Sequence, residues 1–252
     1  MLYWKDRFRA SAIHLGLCLC VAVLAGLLVL GVWYPYPYRE ISGGRELFML
    51  VVAVDVVLGP LLTFAIFTRS KPWRVLRRDL VVIALFQLAG LGYGLWTVYL
   101  ARPVHLVFDI SRFQVVHAVD VPEVLLDKTP PGIRAFPLDG PSLLSVRPFR
   151  DSNEKIDVTL AAMGGVDEAA RPDLWQSYAA GQAGVLKFGK PTAELKTRFP
   201  DQAAAIDQVL AAAGHTAQNT LYLQMVGRKS FWTVFVDAHT AQVVAFLPLD
   251  SF

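Results

Sequence analysis

Metal or hydrolytic chemistry needs His, Cys, Asp or Glu at spacings that bring their side chains together. The 252-residue chain holds five histidines. They are His14, His105, His117, His215 and His239, and no two stand at the i, i+4 spacing of a zinc-binding helix. H-E-x-x-H, G-x-S-x-G and the P-loop are absent as well. Asp237 and His239 meet at one strand end, where a turn explains them better than a catalytic or metal role. Asp109 and Arg112 are spaced to form an ion pair across a turn, worth little if exposed. Cys18 and Cys20 lie two residues apart in an apolar run, where a helix points them in different directions. The rest of the chain has no cysteine, which excludes a thiol redox site or a structural disulfide there. The expectation is a protein that is no enzyme and uses neither cofactor nor metal.

One acid stands where its chemistry is forced. Asp55 interrupts the apolar run Leu47 to Phe67, and a carboxylate near mid-bilayer costs at least ~2.5–3.5 kcal/mol on insertion scales. It must be protonated, face other helices, or face a partner. Gly59 and Pro60 follow within a turn and a half; they free backbone groups and kink helices. A helical rise puts Asp55 roughly 12 Å from the outer end of its span. The matching depth in the next apolar run is near Gly92 and Tyr93, so Tyr93 is the expected hydrogen-bond partner of Asp55, with Gly90, Gly92 and Gly94 permitting close helix approach. His14 and Gln87 match that depth poorly. Asp55 then either locks the packing of the helices or contacts a membrane-embedded helix of another protein. Proton or ion transport is a third reading, but three helices with one acid make a poor pathway.

The elements that hold Asp55 follow from the apolar excess. Hydrophobic residues make up 54% of the chain, and they concentrate in the first hundred residues. Spanning a bilayer takes about 20 apolar residues in a helix. Three runs qualify, over about 11–33, 47–67 and 80–100, giving a transmembrane domain over 1–101. The first run is too long for a signal peptide and lacks a convincing A-x-A site, so it reads as an uncleaved anchor; Leu17 before Cys18 is too large for a lipoprotein site. Ten Lys/Arg against five Asp/Glu precede residue 102, and fourteen against sixteen stand from residue 102 onward. Lys5, Arg7 and Arg9, then Arg69, Lys71, Arg74, Arg77 and Arg78, mark two segments as cytoplasmic; Arg39 and Arg45 alone mark the loop between the first two spans. Topology accounts for the basic residues, and no nucleic-acid partner is expected. After three spans the tail emerges opposite the N-terminus, which in a Gram-negative cell is the periplasm. Trp33, Tyr34, Tyr36, Tyr38, Trp96 and Tyr99 fit the outer interface and Trp73 the inner one.

Residues 102–252 are long enough for a core of their own. Strands are expected over 104–108 and 113–119, around the turn 109–112, and a short one over 143–146. The Pro- and Gly-rich stretch 127–141 reads as a loop. Helices are expected over 151–162, opened by an Asp151 cap; over 172–180, ended by Gly181; and over 201–213, with Ile206, Val209, Leu210 and Ala213 on its apolar face and Gly214 at its end. Strands over 221–226, 231–237 and 242–247 with short turns make an antiparallel meander. The fold class is therefore a membrane protein, three transmembrane α-helices followed by an α+β periplasmic domain with a mostly antiparallel sheet.

The string Val54-Asp55-Val56-Val57-Leu58-Gly59-Pro60-Leu61-Leu62-Thr63 resembles the signature of the TfpX/TfpZ-type, or FimB-like, type IV pilin accessory proteins. So do the basic stretch before the first span, Phe113 after Arg112, and the ending Phe246-Leu247-Pro248-Leu249-Asp250. The resemblance covers nearly the whole chain. It implies an inner-membrane protein that assists assembly or stability of its cognate major pilin, chaperone-like and not catalytic, with other inner-membrane pilus-assembly proteins as further partners. On this view Asp55, Gly59, Pro60, Gly92 and Tyr93 form an intramembrane client or packing site within the lipid bilayer. The alternative is an envelope sensor or inhibitor, because Thr233 to Val243 resembles the strand–turn–strand of PepSY-type modules.

Overall fold

The computed structural model describes residues 2–68 and 71–252, so Arg69, one of the basic residues used for orientation, lies outside it. The chain forms two compact units. One comprises Met1–Tyr34 with Gly44–Ala101; the other comprises Pro35–Gly43 with Arg102–Phe252.

The first unit is helical. α1 (Leu2–Leu28) runs on as a π-helical turn, Val29–Trp33. After α2 (Tyr38–Ile41), which belongs to the second unit, come α3 (Gly44–Ile66) and α4 (Trp73–Leu100). Three helices, Trp4–Trp33, Gly44–Ile66 and Trp73–Leu100, are long and apolar enough to cross a membrane. α4 starts earlier than its apolar run because Pro72, extended at its own ψ, sits at the N-cap. Arg74, Arg77 and Arg78 therefore lie on the first turns of α4, where their stems can reach an interface.

α1 and α4 both pack on α3. Ser11 donates to the Pro60 carbonyl at 2.8 Å, and Arg7 to the Thr68 hydroxyl at 2.8 Å. His14 shares a hydrogen bond with Thr63. At the other end Ala25, Val29, Tyr34, Phe48 and Val98 form a buried cluster, closed by a 3.1 Å bond from the Tyr34 hydroxyl to the Val98 carbonyl. Gly44 is needed there, since a Cβ would overlap the Tyr34 ring.

The second unit is α+β. β1 (Pro103–Asp109) and β2 (Arg112–His117) form a hairpin, followed by β3 (Ser142–Val146), α5 (Ser152–Met163), β4 (Trp175–Ser177), α6 (Tyr178–Phe188), β5 (Lys190–Pro191), α7 (Thr192–Arg198), α8 (Ala203–Ala212), β6 (Thr220–Val226), β7 (Phe231–Asp237) and β8 (Val243–Leu247). The sheet order is β4-β3-β1-β2-β6-β7-β8, with β5 added beside the start of β6. Most pairings are antiparallel, including the meander β6–β7–β8, but β1 pairs β3 and β2 pairs β6 in parallel. The sheet is thus mixed.

The Asp151 cap is present, accepting from Glu154 N at 2.8 Å. The helix expected over 172–180 is not. Pro172–Leu174 is a 3-10 turn, 175–177 extends the sheet edge, and the helix begins at Tyr178. Gly181 lies inside α6 and does not end it, because a Cβ there would overlap the Ser145 side chain under the helix. The Pro- and Gly-rich stretch is an ordered loop whose Ile133, Ala135 and Phe136 pack on a buried cluster around Val107 and Trp175.

The second unit is discontinuous in sequence. Tyr38 and Ile41, from between the first two apolar helices, join Met225, Trp232 and Val234 in its largest core cluster. Ile41 is fully buried. Its carbonyl accepts from Lys229 N at 3.0 Å, and Gly227 leaves the space its side chain occupies.

Candidate functional site

Asp55 does not bond Tyr93. Its partner is Gln87, whose Nε2 donates to the Asp55 Oδ1 and main-chain carbonyl, each at 3.2 Å. Tyr93 is 74% exposed, on the rim of the groove that Asp55 lines. The depth argument failed on direction. At about 100° per residue, Gln87, Gly90 and Gly94 share one face of a helix, whereas Gly92 and Tyr93 point well away from it. That spacing was the available signal for Gln87.

Two grooves flank the Asp55–Gln87 pair. The larger, about 380 Å³, lies between α3 and α4 with Leu50, Val54, Leu58, Phe86 and Gly90 among its walls. The smaller, about 250 Å³, is lined by α1 and α4 through His14, Leu17, Val21 and Leu88. Asp55 and Gln87 line both. Of the candidate residues, Gly59 sits under Gln87, since a Cβ there would overlap the Gln87 amide. Pro60 serves the α1 contact through its carbonyl. Gly92 lines neither groove and has nothing within 4 Å of a would-be Cβ. The structure therefore joins Asp55 and Gly59 through Gln87, which the sequence reading had set aside.

Gly59 and Gly90 separate packing from open surface. Gly94 is filled by Val51, but Gly90 has nothing within 4 Å of a would-be Cβ. Gly59→Val should force Gln87 off Asp55 and cost about 1–3 kcal/mol by overpacking, while Gly90→Val should be tolerated. Size exclusion of the detergent-solubilised protein after heating reads the difference, and equal midpoints for the two variants would show that Gly59 is not a packing contact.

In the second unit the histidines are used singly. His105 bonds Ser142 Oγ at 2.7 Å and the Ala135 carbonyl at 3.1 Å, and burial lowers its pKa to about 4. His117 Nδ1 bonds Asp120, which also accepts from Arg228. Asp237 accepts from the His239 and Thr240 amides, the bonding of a turn. Among the described residues no three His, Cys, Asp or Glu stand together as a metal site. The turn ion pair expected at Asp109 is replaced by another contact. Asp109 is buried, and burial first, then hydrogen bonding to the Glu168 carboxyl, pushes its pKa up to about 8, with Arg112 acting against this.

These features define a class: a protein with three membrane-length apolar helices, a polar pair between two of them, and an α+β domain assembled from two stretches of chain. The family model described as fimbrial assembly protein FimB matches residues 2–43. The fimbrial assembly protein of serogroup I of Dichelobacter nodosus is 34% identical over 258 residues, 98% of each chain. That of serogroup E1 of the same organism is 32% identical over 257 residues, again 98% of each. The protein of serogroups C1 and C2 is 39% identical over 130 residues, 50% of this chain and 97% of that one. No solved structure matches. The chain belongs to the fimbrial assembly protein family.

Proposed function

We propose that this protein is an inner-membrane accessory of type IV pilus assembly that acts on its cognate major pilin in a chaperone-like way, with no catalytic step of its own. The observation that carries the reading is its relation to fimbrial assembly proteins along the full length of both chains. The exposed apolar groove between α3 and α4, with a polar pair at its floor, is the kind of surface a membrane-embedded client needs. The N-terminus is cytoplasmic and the α+β unit periplasmic, near other inner-membrane components of pilus assembly. The Lys and Arg bias supports that orientation. So does the shared core of 35–43 and 102–252, since a loop and a tail that fold together must share one side of the membrane.

The test is the yield of sheared surface pili in a deletion strain, with and without the gene restored. A loss that the restored gene reverses is expected. Unchanged yield, including in a strain unable to retract pili, would remove the reading and favour an envelope sensor.

A further inference from the structure

We propose that the α3–α4 groove is the docking site for an apolar membrane helix that brings a hydrogen-bond donor to the level of Asp55; taking that helix to be the pilin's rests on the function proposed above. A carboxyl accepts through its oxygens, and an amide offers one carbonyl and one NH₂. Gln87 Nε2 is spent on Asp55 and, at 3.5 Å, on Cys18 Sγ. Gln87 Oε1 is buried with no partner. Turning the amide over would set that oxygen against the Asp55 main-chain carbonyl, so the orientation with Nε2 on Asp55 is the favourable one. Asp55 lines the groove and is the acceptor that a partner can reach there, while Gln87 Oε1 stays buried without a partner.

Lipid tails can cover the groove's leucines, valines and Phe86 but carry no donor. A hydroxyl on a docking helix does. Steric access is ready-made. Gly59 and Gly94 are filled by Gln87 and Val51, whereas Gly90 on the groove wall is unfilled, which lets a partner backbone approach α4 closely.

The experiment uses the full chain in membranes of cells making an epitope-tagged major pilin. A photo-crosslinking amino acid replaces Phe86 or Leu50, which wall the groove and are 75% and 64% exposed, or Leu24 on α1, which lines neither groove and is 68% exposed. Pilin adducts are expected from Phe86 and Leu50 and not from Leu24. Gly90→Leu should lower the Phe86 adduct about tenfold, and Gly92→Leu, outside the groove, should leave it unchanged. Asp55→Leu should lower it by about tenfold, the scale of one hydrogen bond, and Asp55→Asn should restore part. Equal adducts from Leu24, adducts only to a second copy of this chain, or no protein adduct would overturn the docking site. A full adduct with Asp55→Leu would overturn the donor. Loss of pili on deletion with no Phe86 adduct removes this inference alone, whereas unchanged pili remove the function on which its pilin occupant rests.

Discussion

Ile41→Asp is expected to unfold the α+β unit even though residue 41 lies sixty residues upstream of most of it. Ile41 is fully buried among Tyr38, Met225, Trp232 and their neighbours. Replacing it removes a branched apolar side chain, a loss of about 2–5 kcal/mol on truncation to Ala. It also leaves a carboxylate unpaired in an apolar core, at a further penalty of several kcal/mol. Together these approach the roughly 5–15 kcal/mol that holds a typical domain folded. Ile41→Val, which keeps the shape, should cost only about 0.5–1.5 kcal/mol. Gly227→Val should resemble the Asp variant, because a Cβ there overlaps the Ile41 side chain and lies 2.9 Å from its carbonyl oxygen. Limited trypsin digestion of the detergent-solubilised full chain reads the result. The wild type and Ile41→Val should keep a resistant tail, and Ile41→Asp should be cut throughout 102–252. A tail equally resistant in Ile41→Asp would mean that the segment 35–43 merely lies against a domain that does not need it.

Nothing in the sequence pattern around Ile41 announces this role. A link of about thirteen residues between two apolar spans reads as a loop, and the aromatic residues Tyr36 and Tyr38 read as interface anchors. The parallel pairings were hidden for a related reason. Alternation of apolar residues marks a strand and its buried face, but says nothing of which distant strand lies beside it. β2 lies between β1 and β6 through Phe113 and Gln114 beside Met225 and Val226, while β5 pairs Leu221 and Tyr222 near the beginning of β6. By contrast, the meander, the Asp151 cap and the three apolar helices rest on local signals, and those were legible. Gly181 shows the limit of a local signal. Glycine is a good helix stop, but here its lack of a side chain serves the contact between α6 and Ser145.

The intramembrane site was legible in part. Asp55 stood out because its cost is intrinsic to its surroundings. Its partner did not, because depth along a helix is only one of two coordinates. Gln87 and Tyr93 are both within reach along the axis of α4, and the azimuth decides between them. The same coordinate divides the glycines of α4. Gly94 faces Val51, Gly90 faces the groove, and Gly92 faces neither. Of the two glycines in this stripe that no neighbour fills, Gly90 and Gly92, only Gly90 lines the groove.

Asp109→Asn is expected to stabilise the α+β unit, increasingly so as pH rises. Asp109 ends β1 in a buried position with its Oδ1 lacking a partner among the described residues. The groups facing it are the Glu168 carboxyl, which shares a hydrogen bond with it, the Asp167 charge, and Arg112 from β2. Burial and the two acids outweigh the arginine, so the folded unit holds this proton up to about pH 8, against an ordinary value of 3.8. Between those values the unfolded chain releases the proton and the folded chain keeps it. The contribution of Asp109 is then most favourable below the ordinary value and falls by about 1.4 kcal/mol per pH unit until the folded group ionises. Asparagine keeps the shape, can donate to Glu168 and does not titrate. His105, held neutral by burial, loses stability in the opposite direction as pH falls through its ordinary range, but it is common to both proteins and cancels in their difference. Urea midpoints followed by tryptophan fluorescence should therefore favour Asp109→Asn over wild type by clearly more at pH 8 than at pH 5. A difference that does not change with pH would mean that Asp109 is ionised in the folded unit, with its charge taken up by Arg112, and that the Asp109–Glu168 contact does not share a proton.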